Sequence, residues 1–528
     1  MQKFTFNREK TRAFTDQQNQ LVYRQNYLMS FINRPFSIEG FRAQMEEKKH
    51  AFSLAQRILL HTVLTDNYNN KSTSELTKKH IDNLLKEEAF TVTTGHQLSL
   101  FTGPVYFIYK ILHVIKMCDS LKKEYPENNF VPVFWMASED HDFEEIQSVE
   151  LFNHTMTWES EQKGPVGRFD LQGLTEIKQE FSSYFSGDAF DEINEILSNY
   201  TGKNLADATF NLVNRLFSKF GLVIVDGDQE RLKRTFLPMI NKELETGFSF
   251  KQVSLTNELL IKEGLKVQVN PREINLFYLE DGMRERILHL EDGFFIEGKG
   301  KYTLDALKEL AQSNPSCISP NVVMRPVYQE TVLPNLCYVG GAGEISYWLQ
   351  LKGVFNELGL PYPMIQVRNS LMWIDTVNAK KIAKIDLKLE DLFEASISLK
   401  KKFLEDNAEE DVDFSIIEAH FDSLRAELLD KISKVDSNLD KYAQAELVRM
   451  EKQLISIREK LLKSVKSKHE NALVTIDQIK NKLFPNGGLQ ERSMNFFNLC
   501  ASGDVEGRLD YLYSVIDPFE QDLIVIRE

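Results

Sequence analysis

The sequence predicts an α/β protein that is built on a parallel sheet, carries two insertions and ends in a long helical arm. Short β-branched runs alternate with helical patterns between residues 86 and 375, and two stretches inside this region lack that alternation. No Gly or Pro occurs from Ile365 to Phe484. Because Gly and Pro are the residues that most often interrupt helices, their absence over this length favours long continuous helices.

The first strand-helix-strand unit covers residues 89–136. A β-branched run at residues 89–94 predicts a buried strand, and the apolar spacing after Pro104 predicts a helix to about residue 123. A second apolar strand follows at residues 131–136. Such a unit predicts parallel strands joined by a right-handed crossover, and we add strands of the same sheet at residues 221–225 and 364–367.

The segments around this core have patterns of their own. Residues 1–85 show helical apolar spacing, and the Glu-Asp-Gly turns within residues 265–301 predict antiparallel hairpins. The helix-breaking sequence Pro-Asn-Gly-Gly at residues 485–488 precedes a C-terminal segment with a predicted edge strand at residues 523–526. The predicted organisation is a helical lead-in (1–85), core segments (86–150, 204–250 and 316–375), insertions (151–203 and 251–315), the arm (376–484) and a C-terminal segment packed on the core (485–528).

The composition excludes several classes of protein. The formal net charge of −15 disfavours a nucleic-acid partner, since binders of polyanions usually carry a basic surface. We find neither a leader sequence nor an apolar run of about 18 residues, so we expect no membrane span and a cytoplasmic protein. The four cysteines are spaced singly, which predicts buried thiols rather than a disulfide framework, a zinc site or a catalytic nucleophile.

The predicted arm has the pattern of a coiled coil. Apolar residues recur at three-four spacing, as in Phe421, Leu424 and Leu428, with Glu, Lys and Asp between them. Helices of this kind pack on themselves or on a second subunit. We therefore expect the arm to form a homodimer, while its charged residues are expected to be a solvated face.

The loop after the first strand is a candidate site. Gly95, His96 and Gln97 stand between a strand and a helix, where glycine permits close backbone approach and a helix start offers unpaired N–H groups to an anion. Neither a dinucleotide GxGxxG motif nor a Walker motif is present, so we expect no NAD. The alternative is a purely structural loop.

The strand at residues 131–136 ends in a cluster of five polar or ionisable residues, Ser138, Glu139, Asp140, His141 and Asp142. A carboxylate beside an imidazole can accept a proton from an amine or bind a substrate ammonium group. The alternative is a surface loop in which one Asp caps the next helix. Because the cluster shares a predicted sheet edge with His96, we favour a functional role.

A second strand-to-helix junction contains Gly340, Gly341, Gly343 and Glu344. Glycines there let backbone amides surround a phosphate or carboxylate, and Glu344 could meet a ribose hydroxyl, an amine or Mg²⁺. A tight turn without a ligand is the alternative. Arg325 and Tyr328 precede this junction and could reach the same crevice, although a structural ion pair is an equal prospect for Arg325.

Long motifs resemble one known family. The stretches TTGHQLSLFTGPVYFIYK, PVFWMASEDHDFEEI and SPNVVMRPVYQETVLPNLCYVGGAGEISYW, together with the late QER, are similar to those of the bacillithiol cysteine-adding enzymes, in the same order. The resemblance covers essentially the full chain. It implies a nucleotidyl-transferase-type Rossmann core like that of class I aminoacyl-tRNA synthetases and a dimeric coiled coil. GHQ only partly matches the synthetase HIGH signature, and no KMSKS-type loop is present.

The resemblance also implies a ligase that adds L-cysteine to glucosaminyl-malate, with ATP or another nucleotide as the activating co-substrate and with Mg²⁺ as a candidate ion. The alternatives are a nucleotidyl transferase acting on another small molecule and a nucleotide-sensing coiled-coil scaffold. We expect no metal ligated by the protein. The predicted site residues are His96, Asp140, His141 and Asp142 for catalysis; Gly95, Gln97, Thr102, Gly103, Tyr106, Lys110, Trp135, Ser138, Arg325 and Tyr328 for substrate binding; and Gly340, Gly341, Gly343, Glu344, Gln490, Glu491 and Arg492 for nucleotide binding.

Overall fold

The computed structural model describes residues 1–407 and 414–528. Its strands fall into three sheets and one separate hairpin. The strands are β1 (Gln2–Phe6), β2 (Ala89–His96), β3 (Asn129–Met136), β4 (Ser148–Leu151), β5 (His154–Thr157), β6 (Val223–Asp226), β7 (Leu276–Glu280), β8 (Met283–Leu290), β9 (Gly293–Ile296), β10 (Gly300–Tyr302), β11 (Ile318–Pro320), β12 (Asn335–Gly340), β13 (Met364–Val367), β14 (Leu371–Ile374) and β15 (Leu523–Arg527).

Helices fill most of the chain between these strands. They are α1 (Arg8–Thr11), α2 (Asp16–Tyr23), α3 (Ile38–Ala51), α4 (Leu54–Tyr68), α5 (Glu75–Asn83), α6 (Tyr106–Glu124), α7 (Leu174–Ser183), α8 (Asp188–Ser198), α9 (Leu205–Phe217), α10 (Glu230–Thr246), α11 (Phe248–Lys262), α12 (Leu304–Ser313), α13 (Arg325–Val332), α14 (Ala342–Trp348), α15 (Lys352–Leu358), α16 (Thr376–Lys384), α17 (Ser396–Asp406), α18 (Ser415–Val435), α19 (Asp440–Lys468), α20 (Glu470–Leu483) and α21 (Val505–Val515).

The core is a five-stranded sheet in the order β13-β12-β2-β3-β6, with every neighbouring pair parallel. Strands β2 and β3 run side by side from Ala89 opposite Asn129 to His96 opposite Met136. Their apolar residues are buried on both faces, as expected of a parallel sheet that is covered by helices. The predicted Rossmann-like α/β core is therefore confirmed.

Helix α6 lies against β2 and β3, and this position explains why its sequence is apolar on nearly every side. Twelve of its residues are buried, including Lys110 and His113. The two ionisable side chains lie inside the protein, where they need polar partners. This helix consequently brings a charged group beneath the carboxyl ends of the central strands.

The N-terminus and C-terminus form a second sheet that the sequence did not predict. Strand β1 pairs antiparallel with β15, and β15 pairs parallel with β14. The prediction of helices alone for residues 1–85 is wrong at Gln2–Phe6, and residues 523–526 lie in the central strand of this sheet rather than at an edge. Pairing between segments at opposite ends of the chain leaves no local signal in either one.

Both insertions are observed. The first begins with the hairpin of β4 and β5 and continues in helices α7 and α8. The second is a five-stranded sheet, β10-β9-β8-β7-β11, which is antiparallel throughout. Its last strand, β11, comes from the segment that we had assigned to the core. The antiparallel sheet therefore continues to the chain that enters α13.

The helical arm is shorter than the Gly-free and Pro-free run. Helices α16, α17 and α20 pack on the second sheet or on each other, through buried residues such as Ile382, Leu399, Ile476 and Ile479. Only α18 and α19 form a hairpin in which few side chains are buried. Residues 408–413, which belong to the predicted arm, lie outside the described residues.

The cysteines agree with the prediction of buried thiols. All four cysteines are buried and unpaired, and burial raises the pKa of each thiol, so none is set up as a thiolate nucleophile. Across residues 1–407 and 414–528, no helix combines the length and the apolar character that crossing a bilayer would require.

Candidate active site

Two cavities adjoin at the carboxyl ends of the core strands, which is where open α/β sheets bind ligands. The first has a volume of about 450 Å³ and the second about 280 Å³. Both are lined by Trp135, Ala137, Asp140 and Arg325. The end of β3 and the start of α13 therefore form the boundary between two binding spaces.

The larger space, which we call the arginine cavity, is strongly cationic. Four guanidinium groups line it, against the two carboxylates of Glu139 and Asp140. Two of the four arginines come from strand β8 of the antiparallel insertion, where they are two positions apart. A cavity of this composition suits a ligand with several negative charges, because guanidinium groups bind carboxylates and phosphates in bidentate pairs. The four are Arg272, Arg284, Arg286 and Arg325.

Asp140 lies between two of these guanidinium groups. Its carboxylate oxygens are 3.9 Å from Arg284 Nη1 and 3.9 Å from Arg325 Nη1, and one of them accepts a hydrogen bond of 2.8 Å from the backbone of His141. Burial alone would raise the pKa of Asp140, but the hydrogen bond with His141 and the charges of Arg325 and Arg284 lower it well below its ordinary value. A carboxylate held so firmly in its charged form is a weak proton acceptor.

Arg284 also contacts His141. Its Nη1 donates a hydrogen bond of 2.8 Å to His141 Nδ1, because a guanidinium group has donors but no acceptor. The guanidinium group stacks 3.9 Å above the centre of the Phe277 ring, and its Nε is buried without a partner among the described residues. Arg284 thus presents an unsatisfied donor beside the arginine cavity.

The smaller space, which we call the Glu344 cavity, contains an ordered carboxylate. Glu344 accepts hydrogen bonds from Lys110 Nζ at 2.7 Å, from Tyr338 Oη at 2.7 Å and from the backbone of Gly341 at 2.8 Å. Burial acts to raise the pKa of Glu344, but the charge of Lys110 and these hydrogen bonds lower it. The carboxylate is therefore ionised and held in one orientation.

His96 lies in the same cavity as a neutral imidazole. Burial, together with the positive charge of Lys110, lowers the pKa of His96 to about 3. Its ring packs against Tyr106 and Phe107, and Nε2 is shielded from solvent without a hydrogen-bond partner among the described residues. Gly95, Gln97 and Tyr106 line the cavity beside it. The predicted GHQ loop and Glu344 are thus brought together.

At the junction between β12 and α14, Gly340 and Gly341 make close contacts within the protein. A Cβ at Gly340 would come within 3.0 Å of Glu344 and Tyr338, so glycine there allows β12 to meet α14 closely. The backbone N–H of Gly341 donates a hydrogen bond to Glu344 within the protein. Gly343 borders open space. Nucleotide binding by this junction stays a prediction.

Other predicted residues lie outside both cavities. Tyr328 is buried and donates to the backbone of Gly227 at 2.9 Å, and it packs edge-on against Trp135. Ser138 donates to Asp226 and lines a separate space of about 420 Å³ with Asp226, Asp228 and Arg168, while Asp142 is exposed to solvent. Thr102 and Gly103 lie in a left-handed turn, whose carbonyls at Phe101 and Gly103 accept from the Asn495 amide.

The late Gln-Glu-Arg motif connects parts of the fold. Glu491 forms a buried bidentate pair with Arg368, at 2.9 and 3.0 Å, and accepts from the backbone of Leu371. Gln490 accepts from the backbone of Trp373, and Arg492 is exposed. The first two side chains are fully engaged with β14 and its neighbours, so nucleotide binding by this motif stays a prediction.

Sequence reasoning missed several residues of the site. Arg272, Arg284 and Arg286 lie in the antiparallel insertion, and Gln329 and Tyr347 line the Glu344 cavity. The alternation of Arg284 and Arg286 in a predicted strand was an available signal, since it places two cations on one face of a hairpin. Only the tertiary structure shows that this face of the hairpin lies opposite the end of β3.

The described residues include no cluster of side chains that could bind a metal ion permanently. In residues 1–407 and 414–528, no three His, Cys, Asp or Glu side chains form a group that could hold a metal ion. A Mg²⁺ ion that arrives with a nucleotide takes many of its ligands from phosphates and water and needs only one or two carboxylates. Binding of Mg²⁺ together with a nucleotide therefore stays a prediction.

The core sheet, the two insertions and the cavities at the strand ends define a Rossmann-like α/β protein with a C-terminal coiled-coil domain. The Rossmann-like N-terminal domain of the bacillithiol biosynthesis family BshC matches residues 3–369, and the coiled-coil domain of the same family matches residues 371–528. Because these matches cover nearly the whole chain, the chain belongs to the BshC family.

Curated relatives agree with this assignment. A protein of Flavobacterium johnsoniae named "Putative cysteine ligase BshC" is 40% identical over 89% of each chain, and one of Christiangramia forsetii with the same name is 38% identical over 94% of each chain. A solved structure from Campylobacter jejuni described as a "putative arginyl t-RNA synthetase" aligns over 87% of this chain and 97% of that chain, at 13% identity. Its TM-score is 0.22, which is too low to establish a common fold.

Proposed function

We propose that the chain is a carbon–nitrogen ligase that joins the carboxyl group of L-cysteine to the amine of glucosaminyl-malate, after a nucleotide has activated the cysteine. One observation carries the proposal: two adjoining cavities of opposite character share a boundary at Trp135, Asp140 and Arg325. A ligase of two small molecules needs such a pair of spaces. The name of the curated relatives, cysteine ligase, supports the same conclusion.

The arginine cavity suits the acceptor. The malate part of glucosaminyl-malate carries two carboxylates, and the cavity offers four guanidinium groups, of which Arg284 has an unpaired buried Nε among the described residues. A buried N–H group without a hydrogen-bond partner has lost its contact with water and raises the free energy of the protein. A ligand oxygen that accepts from such a group therefore gains more binding free energy than one that accepts from a group still bonded to water. The sugar amine would then lie towards the boundary with the Glu344 cavity.

The Glu344 cavity suits cysteine. Its volume of about 280 Å³ is small, and Glu344, Glu145 and Asp140 contribute carboxylates to it against the single guanidinium of Arg325. An ionised carboxylate in a fixed orientation is a suitable partner for the ammonium group of an amino acid. The neutral His96 ring supplies a further polar contact, because its Nε2 is without a partner among the described residues.

Activation by ATP or another nucleotide is the remaining part of the proposal. A free carboxylate does not react with an amine, because its oxygen is a poor leaving group. When the carboxylate oxygen is bonded to a phosphate of the nucleotide, that phosphate becomes a good leaving group. Mg²⁺ would accompany the nucleotide phosphates. The protein's own contribution is to orient the two reactants on either side of Arg325, whose charge can stabilise negative charge that develops on the carboxyl oxygen.

Two alternatives make different demands on the site. A nucleotidyl transferase acting on another small molecule would use the same two cavities but would consume nucleotide without glucosaminyl-malate. A nucleotide-sensing scaffold would bind nucleotide without turnover, yet the buried and incompletely paired groups at the strand ends are costly for a protein that only needs to be stable. The charge difference between the two cavities favours the ligase.

The proposed ligase activity can be tested by measuring the product in which cysteine is joined to glucosaminyl-malate. Purified protein would be incubated with L-cysteine, glucosaminyl-malate and ATP, and mass spectrometry would follow the condensed thiol together with AMP or ADP. A matched reaction would replace the acceptor by a glucosaminide without carboxylates, which should raise KM sharply if the arginine cavity binds malate. Nucleotide turnover that ignores glucosaminyl-malate would favour the first alternative, and an absence of turnover would favour the scaffold.

A further inference from the structure

Two consecutive carboxylates follow β3, and the fold places them in opposite electrostatic surroundings. Glu139 and Asp140 both line the arginine cavity. Asp140 is paired with guanidinium groups that also line the cavity, whereas Glu139 is paired with an ammonium group that does not. Carboxylates whose surroundings drive their proton affinities apart are the usual sign of separate chemical roles.

The partner of Glu139 is Lys233 on α10. Their charged atoms are 2.8 Å apart, and the side chains are only 10% and 2% exposed. Lys233 Nζ is also 2.7 Å from Asp228, which in turn forms a bidentate pair with Arg168. The ammonium group of Lys233 therefore has a second carboxylate partner that does not line the arginine cavity.

This arrangement lets Glu139 change its charge at little cost. If Glu139 gains a proton, Lys233 remains paired with Asp228 and is not left as an isolated buried charge. Asp140 lacks this freedom, because its protonation would leave Arg284 and Arg325 facing each other without the carboxylate between them. The geometry thus separates a carboxylate that can accept a proton from one that holds two cations in place.

We propose that Glu139 is the proton acceptor for the attacking amine, a step that rests on the proposed ligase function. The amine nitrogen bonds to the activated carboxyl carbon of cysteine, and the bond from that carbon to the phosphate oxygen breaks. The electron pair of that bond leaves with the nucleotide phosphate. The proton lost by the amine moves to the Glu139 carboxylate, so atoms and charges balance.

The electrostatics agree with this role. Burial raises the pKa of Glu139, and although Lys233 lowers it, the nearby negative charge of Asp228 raises it further. Asp140 has its pKa lowered instead. The charged and titratable groups that face Glu139 are Lys233 from α10, Asp226 and Asp228 from the end of β6, Arg284 from β8 and Tyr328 from α13.

The experiment separates proton transfer from the other steps. In Glu139→Gln, kcat for amide formation should fall about 10²–10⁴-fold, as expected when a positioned base is lost, with KM values near those of the wild type. Cysteine activation, measured without acceptor as isotope exchange of pyrophosphate into ATP where AMP is the product, or of ADP into ATP where ADP is the product, should be retained. Glu139→Asp should recover part of the loss. Glu144→Gln, an exposed carboxylate of the same loop, is the matched control.

Each outcome points to a different conclusion. If the wild type makes no condensed product, the proposed function fails. If the wild type is active and Glu139→Gln keeps its kcat, or loses activation as fully as transfer, Glu139 is not the proton acceptor and the ligase proposal stands. Should Glu139→Gln fail to fold, Glu139→Gln combined with Lys233→Met removes the buried ammonium group that has lost one of its two carboxylate partners, and the same loss of transfer with retained activation is expected.

Discussion

At the scale of single residues, the site depends on which charges are paired with which. Asp140 is the residue whose predicted role changes most. The sequence placed it among the candidate bases, but two guanidinium groups and a backbone N–H hold it ionised. From its position at the boundary of both cavities, we expect that it aligns Arg284 and Arg325.

The first prediction follows from this position. Asp140→Asn should raise KM for the acceptor by about tenfold, equivalent to about 1.4 kcal/mol of lost ground-state and transition-state binding, while kcat changes little. Steady-state kinetics with saturating cysteine and ATP measures both constants. If kcat instead falls by about 10²-fold or more and KM is unchanged, Asp140 returns to the role of base.

A second residue-scale prediction concerns stability and pH. Burial and the negative charge of Asp228 raise the pKa of Asp226 to about 6, from an ordinary value of 3.8. Because the folded protein holds this proton more tightly than the unfolded chain, Asp226 disfavours folding increasingly as pH rises from about 4 to about 6, and fully above that range.

Asp226→Asn should therefore be more stable than the wild type at pH 8, and the gain should vanish at pH 4. The amide oxygen can still accept from Ser138 and from the backbone of Asp228, so the hydrogen bonds are kept. Thermal denaturation at the two pH values measures the difference. An equal effect at both would show that the carboxylate charge is not what destabilises the fold.

At the scale of elements, the pair between Arg368 and Glu491 connects the core sheet to the C-terminal region. Arg368 follows β13 and its backbone donates to Gly340, while Glu491 accepts from the start of β14. The two side chains are 8% and 2% exposed. A pair this deeply buried holds the two sheets in register, and loss of one partner leaves an uncompensated charge.

The third prediction tests this connection. Glu491→Gln should destabilise the protein by about 3–5 kcal/mol, the usual result of breaking a buried ion pair on one side. Chemical denaturation measures the change. Arg492→Ala is the matched control, because this neighbouring side chain is exposed and should leave stability unaltered. Equal stability of both variants would mean that water replaces the lost partner.

At the scale of the whole molecule, the hairpin of α18 and α19 is the least buried part of the chain that the structure describes. Among its described side chains, the buried hydrophobic ones are Phe421, Ala443 and Leu447. Several apolar side chains on the same helices are open to solvent in the single chain: Ile416, Leu424, Val435, Tyr442, Ile455 and Ile457. A surface of this kind suits a second copy of the chain, as predicted from the coiled-coil pattern.

The fourth prediction is that this hairpin holds a homodimer. Deleting about residues 405–475, with a short flexible linker in their place, should give monomers by light scattering. Tyr442→Glu combined with Ile457→Glu should do the same without shortening the chain, because a charge on each exposed apolar position opposes burial. Dimers that survive both changes would place the interface elsewhere.

The sequence alone determined the parallel core, the antiparallel insertion and the helical arm. It also placed His96, Glu344 and the Asp140 cluster at one edge of the sheet. These results rest on periodicity and on glycine and proline placement, which are local properties of the chain. The resemblance of three long motifs then indicated the family.

Only the tertiary structure decided the rest. The sheet of β1, β15 and β14 joins segments at opposite ends of the chain, and the arginine cavity is completed by residues of an insertion that folds back over β3. The contrast between Glu139 and Asp140 is also of this kind, since these adjacent residues have different ion-pair partners: Lys233 for Glu139, and two guanidinium groups for Asp140. Proton affinity is set by the charges and burial around a group, and in this chain those charges come from residues up to about 185 positions away.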